Sequence, residues 1–281
     1  MAGWSGGCSG GLILFDFAGF GLDWFGLAGF GLGPDIAALL IGVGFVAGFV
    51  DAIAGGGGLI TVPALLLCGL DPTQALATNK LQGCFGSGTA ALTYGRAGHV
   101  DLQKQGWMAA VAVAASALGA GIALVVPADV LRAVMPVILI AVACYFALKP
   151  GLGDAARAPR LTPFVFGVSL VPVVALYDGF FGPGAGSFYM LGFVVLAGKG
   201  LLKATAHTKF LNFASNFGAL MVFAFGGHIL WGLGLAMAVA QVGGATLGAR
   251  LAIRVGAGMI RPLLVVVCLA LAIRLMVQNW G

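Results

Sequence analysis

The sequence predicts an all-α polytopic membrane protein of about 8–10 membrane segments. It reads as two inverted-topology repeats, each a glycine-broken half-helix hairpin followed by three transmembrane helices. Three observations carry this. Charged residues make up 8% of the 281 residues and hydrophobic ones 60%, against about 25% charged in soluble domains. The apolar segments come in lengths that suit a bilayer, about 20 residues. The two halves also hold one register over most of their length.

The segments run 36–53, 59–70, 74–95, 106–126 and 129–148, then 163–180, 186–197, 201–225, 229–250 and 258–279. Segments 59–70 and 186–197 are too short to cross and read as half-helices or re-entrant pieces. The first repeat therefore occupies 36–148 and the second 163–281. Residues 149–162, polar and rich in Pro and Gly, form a central linker. Residues 1–35 are Gly/Phe-rich and carry Asp16 and Asp23. Two acids are costly in hydrocarbon, so this stretch is expected to lie at the interface rather than span.

The register is specific. Asp51 matches Asp178, Gly55 matches Gly182 and Gly57 matches Gly184; after two extra residues near Lys199, Ala77 matches Ala206, Lys80 matches Lys209 and Gly98-His99 matches Gly227-His228. Basic residues then orient the halves. The linker (Lys149, Arg157, Arg160), the stretch with Arg250, Arg254 and Arg261, and the loop with Arg96 and Lys104 are expected inside. Loops 125–130 and 226–229 lack Lys and Arg and are expected outside. Equivalent loops thus fall on opposite sides, and both termini are expected outside. The net charge of +5 is topological information and gives no reason to expect nucleic acid. The five cysteines are scattered without a C-x-x-C pair, so neither a disulfide framework nor a metal site is expected. No cofactor is expected either.

The chemistry is expected where polar groups interrupt the apolar segments. Asp51 precedes Gly55, Gly56, Gly57 and Gly58; Asp178 precedes Gly182, Gly184, Gly186 and Ser187. Asp-headed, glycine-broken segments at matching places in two halves point to a transporter binding site. Lys80 stands among Thr78, Asn79 and Gln82, with Ser87 and Thr89 further along. Lys209, Asn212 and Asn216 fall on one helix face, with His207 and Thr208 just before and Ser215 between. A stripe of ammonium, amide and hydroxyl donors beside half-helix N-termini suits a small anion. Asp51 and Asp178 have three open roles: capping the next helix, pairing with the lysine of their own half, or relaying protons. His99 and His228 read as loop residues. Trp107, Trp231 and Trp280 read as interface anchors.

The stretches Asp51–Pro63 and Ala75–Gln82 resemble the TauE/SafE family of anion permeases. In the second half, Tyr177–Tyr189, Lys203–Lys209 and Ile260-Arg261-Pro262 are similar to its YfcA-like branch. The resemblance covers residues 36–279. It implies an inner-membrane permease for sulfite, thiosulfate, an organosulfonate or a related small anion. Many broader members carry Thr-Ser where Asn79-Lys80 stand here, so the lysine marks a branch.

The function expected is a secondary transporter of a small, sulfur-containing anion, with lipid and protons as its other partners and a homo-oligomer as an open assembly. A non-transporting membrane subunit is the alternative. An intramembrane serine enzyme is disfavoured, because Ser187 matches Ile60 in the other half.

Overall fold

The computed structural model describes residues 34–131 and 158–256, with 133, 134, 137 and 156. The expectations for residues 1–33, for most of 129–148 and the linker, and for 258–279 lie outside the described residues. Eight helices organise the rest: α1 (Pro34–Ala54), α2 (Gly57–Leu67), α3 (Pro72–Arg96), α4 (Gly106–Val125), α5 (Pro163–Phe180), α6 (Ala185–Val195), α7 (Leu201–Phe225) and α8 (Trp231–Val255). Four of them, α1, α4, α5 and α8, are long and apolar enough to cross a membrane. Helices α3 and α7 have 25 residues each, and their lower hydropathy comes from the polar stripes. The short α2 and α6 have 11 residues each.

Local chemistry explains the ends. At α3, Asp71 caps the helix by accepting from the Thr73 N–H (3.1 Å), and Pro72 occupies the first turn, where its missing N–H costs nothing. Thr162 and Pro163 do the same for α5. Helix α2 starts two residues earlier than the expected 59, inside the glycine run, and ends before Gly69, which sits at φ +86°. Helix α8 carries Arg250 and Arg254 in its last turns and so continues past 250 to Val255. Basic side chains favour that end of a helix.

The duplication extends to the backbone. Six of the eight positive-φ glycines among the described residues fall in pairs at equivalent places: Gly55 and Gly182, Gly69 and Gly198, Gly98 and Gly227. Packing follows the same pairing. Helix α1 packs on α8 and its counterpart α5 on α4; α4 packs on α7 and α8 on α3; α3 and α7 pack on each other. Each half is thus built onto the other rather than standing alone.

Glycine makes these contacts possible. A Cβ on Gly119 of α4 would run into the Leu176 carbonyl of α5, and one on Gly179 of α5 into the Ser116 carbonyl of α4. At the equivalent crossing, a Cβ on Gly248 of α8 would lie 2.5 Å from the Phe49 carbonyl oxygen of α1. Without a hydrophobic force between helices in lipid, such backbone approach is a main source of packing energy. Gly119→Leu is therefore expected to destroy the fold, read as loss of a monodisperse peak and of the melting transition in detergent. Gly121→Ala is the control, since a Cβ there meets nothing within 4 Å, and should melt within a few degrees of the parent.

Candidate functional site

Between the two glycine breaks lies a small polar cavity of about 20 Å³, room for one or two water molecules. Its walls are Asp51, Gly55, Gly57, Gly58, Asn79, Gly83, Asp178, Gly182, Gly184, Gly186, Asn212, Asn216 and Gln241. The broken backbone stands here because the two turns touch. A Cβ on Gly55 would lie 2.7 Å from the Gly186 carbonyl carbon, and one on Gly186 would lie 2.8 Å from the Gly55 oxygen. Gly55, Gly182 and Gly184 also need the left-handed region, at φ +84°, +88° and +84°.

Two lysines stand behind this lining, both with fully buried side chains. Lys80 Nζ lies 2.6 Å from Asp178 Oδ1, and Lys209 Nζ lies 3.0 Å from Asp51 Oδ2. The pairs are crossed. Of the three roles left open for the acids, pairing with the lysine of their own half is not the one found: each lysine binds the acid of the other half. The cause is the packing of α3 on α7, which carries each lysine away from its own glycine turn and toward its counterpart's. Both acids have further donors. Lys80 also donates to the Asp178 backbone carbonyl, and Ser215 Oγ donates to Asp178 Oδ2. Asp51 Oδ1 accepts from the Gly57 N–H at 3.1 Å. Asp51 therefore caps α2 and holds Lys209 at once, while Asp178 makes no matching cap. Asp51 is 13% exposed and Asp178 2%, so the two ends of the cavity are unequal.

Other expected site residues divide. Asn79, Asn212 and Asn216 line the cavity, as their shared faces with the lysines predict. Asn79 Oδ1 accepts from Thr61 Oγ1 at 2.6 Å, and Asn216 Nδ2 donates to the Asn212 carbonyl at 2.7 Å. Gly56, Thr78, Gln82, His207, Thr208 and Ser187 stand off it. Thr78 Oγ1 accepts from the Leu230 N–H at 3.2 Å, and Ser187 Oγ donates to the Ala54 carbonyl at 3.0 Å. His207 points to the loop before α4: its Nδ1 lies 2.8 Å from Gln105 Oε1, and Gln105 Nε2 donates to its carbonyl at 3.1 Å. Its ring also lies 5.3 Å from that of Phe193. Thr208 Oγ1 and both polar atoms of Gln82 are buried without a hydrogen-bond partner.

Two lining residues escaped the sequence reading, Gly83 and Gln241. Gln241 was legible as a lone amide in an apolar segment, but its repeat counterpart is Ala112, so the duplication gave it no weight.

The chain matches the family model described as sulfite exporter TauE/SafE over residues 40–275. It is 58% identical over 241 residues to a probable membrane transporter protein, ORF9, of Sinorhizobium sp, covering 86% of this chain and 92% of that one. It is 44% identical over 252 residues to the probable membrane transporter protein YfcA of Escherichia coli K12, covering 90% and 94%. A probable membrane transporter protein of Haemophilus influenzae is 41% identical over 250 residues, covering 89% and 98%. No solved structure matches. The relatives are named as probable membrane transporters rather than as enzymes, and several helices of this chain are apolar enough to span a bilayer. With a family match across most of its length, the chain belongs to the TauE/SafE family of membrane transporters.

Proposed function

We propose that this protein is a secondary transporter that moves a small, sulfur-containing anion such as sulfite, thiosulfate or an organosulfonate across the bacterial inner membrane, coupled to protons. The observation that carries the reading is the pair of crossed Lys–Asp bridges at the touching glycine breaks. Buried charges at such a place are expensive and mark a transport path by default. Unwound backbone at membrane depth persists where it lines a cavity or is buried in protein. The family's description as a sulfite exporter supports the substrate class.

The bridges suggest how anion and proton are linked. An anion that takes Lys209 from Asp51 leaves a carboxylate without its counter-charge, which is costly in a buried site. A proton on that carboxylate removes the charge, so each ligand favours the other's binding, and the coupling is reciprocal. The cavity is too small for an organosulfonate in this conformation, which is therefore a closed state of the transport cycle. The domains are those of the sequence: an interfacial segment 1–35, a repeat over 36–148, a cytoplasmic linker at 149–162 and an inverted repeat over 163–281. Both termini are periplasmic, and the substrate contacts come from the two lysines, the asparagines and the glycine turns.

Purified protein in proteoliposomes tests this directly. Labelled sulfite or thiosulfate should cross, faster when the loading side is more acidic. Asp51→Asn carries no exchangeable carboxyl, so its transport should be flat with pH. Absence of transport by the parent protein sinks the reading. An unchanged pH profile in both Asp51→Asn and Asp178→Asn removes the proton coupling alone.

A further inference from the structure

The mirrored parts of the site, Asp51 with Asp178 and Lys80 with Lys209, give its two ends the same charges. The lining amides Asn79, Asn212, Asn216 and Gln241 have no amide at the matching position of the other half, and of these Gln241 is the one with a buried polar atom left unpartnered. Gln241 of α8 is 3% exposed, lines the cavity, and its Oε1 has no hydrogen-bond partner. The residue is held in place by two glycines. Gly48 of α1 lets its backbone approach, since a Cβ there would lie 2.5 Å from the Gln241 carbonyl oxygen. Gly86 of α3 leaves the space for its side chain, since a Cβ there would lie 2.5 Å from Oε1. Gly86 is the repeat counterpart of Ser215, the residue whose hydroxyl binds Asp178. At the first-half end, therefore, the place of that hydroxyl is taken by an amide that is not spent on a protein partner.

A buried amide left unpaired is destabilising, so the folded protein alone gives no reason to keep it. A ligand does. The amide can turn either its N–H or its carbonyl toward the cavity, and it stands at the end where Asp51 is the more exposed acid. We propose that Gln241 is a substrate-contacting residue which fixes the bound anion at the Lys209–Asp51 end of the site. This rests on the anion-transport reading above. An anion held by the mirrored charges alone has two similar positions, and the unpartnered Gln241 amide adds a contact at one of them.

The test measures affinity and stability separately. Purified full-length protein is titrated with sulfite, thiosulfate, sulfoacetate and acetate, and the melting temperature is followed at each concentration. Gln241→Met, close in shape and without polar atoms, should melt at or above the parent temperature without ligand, because the unpaired amide is gone. Its affinity for the best-bound anion should fall about tenfold or more, the usual loss for one hydrogen bond to a charged group. Gln241→Glu, which places a third carboxylate in the wall, should weaken binding further. It also serves as the second test should the methionine variant fail to fold. An unchanged affinity in the folded variants overturns the proposal. So does a lowered ligand-free melting temperature with affinity intact, which marks a purely structural side chain. Binding of none of the four anions by the parent protein fails the anion-transport reading itself, and the proposal falls with it.

Discussion

Replacing Lys80 by glutamine is expected to abolish transport and to cost about 3–5 kcal/mol of stability, the usual penalty for removing one partner of a buried ion pair. Asp178 would be left 2% exposed, with only the Ser215 hydroxyl as a side-chain partner. The stability loss alone does not separate a structural lysine from one that meets the anion. The double variant Lys80→Gln/Asp178→Asn does. It removes both charges and keeps two amide groups of similar size, so most of the melting temperature should return. If Lys80 serves only to neutralise Asp178, transport returns with it. If Lys80 is the counter-charge of the substrate, the double variant is folded and inactive, at least a hundredfold below the parent in proteoliposomes. The same comparison applies to Lys209 and Asp51. There the stability cost should be smaller, because Asp51 is partly exposed and keeps the Gly57 N–H. Full transport by both Lys80→Gln and Lys209→Gln sinks the assignment of the lysines.

These residues show what a linear sequence carries and what it does not. The ends of α5 and α7 coincide with the apolar segments expected at 163–180 and 201–225, because Pro163 and the Gly198–Gly200 turn punctuate them sharply. The matched spacing of Asp51 with Asp178 and Lys80 with Lys209 identified the four charges of the two bridges. It left their pairing open, since equal offsets are satisfied by pairing within a half or across halves. Only the packing of α3 against α7 decides, and that is a property of the assembled chain. His207 was grouped with Lys209 as part of one polar stripe, yet residues two apart on a helix point to nearly opposite sides. Its partner Gln105 lies in a distant loop, which no local pattern signals. Thr208 matches Asn79 in the repeat. Asn79 has Thr61 opposite, while the equivalent of Thr61 is Phe188, so Thr208 is left without the partner that its counterpart has. Duplication finds the frame of the site, and divergence between the copies hides its asymmetric parts.

Gly186→Ala should reduce transport at least tenfold, by separating the two turns rather than by removing any functional group. Gly186 has no positive φ, so alanine is not strained by its backbone there. The obstacle is steric: the new Cβ would lie 2.8 Å from the Gly55 oxygen and 3.1 Å from its Cα. Both are backbone atoms and cannot rotate away. Overpacking of this kind costs about 1–3 kcal/mol, and the relief available is for α6 to draw back from Gly55. That movement would break the Ser187 bond to the Ala54 carbonyl and widen the gap between the two half-helices. Each crossed bridge ends on an acid beside one of these breaks, so its geometry changes with it. Gly56→Ala supplies the contrast within the same run. Its φ is −111° and its Cβ would meet only Leu59 Cδ1, at 3.7 Å, so transport and melting temperature should stay near the parent values. Equal transport by Gly186→Ala and Gly56→Ala, both well folded, would mean that close approach of the turns is dispensable. A tenfold gap between them ties function to that approach, because the two substitutions add the same methyl group and differ only in what it meets.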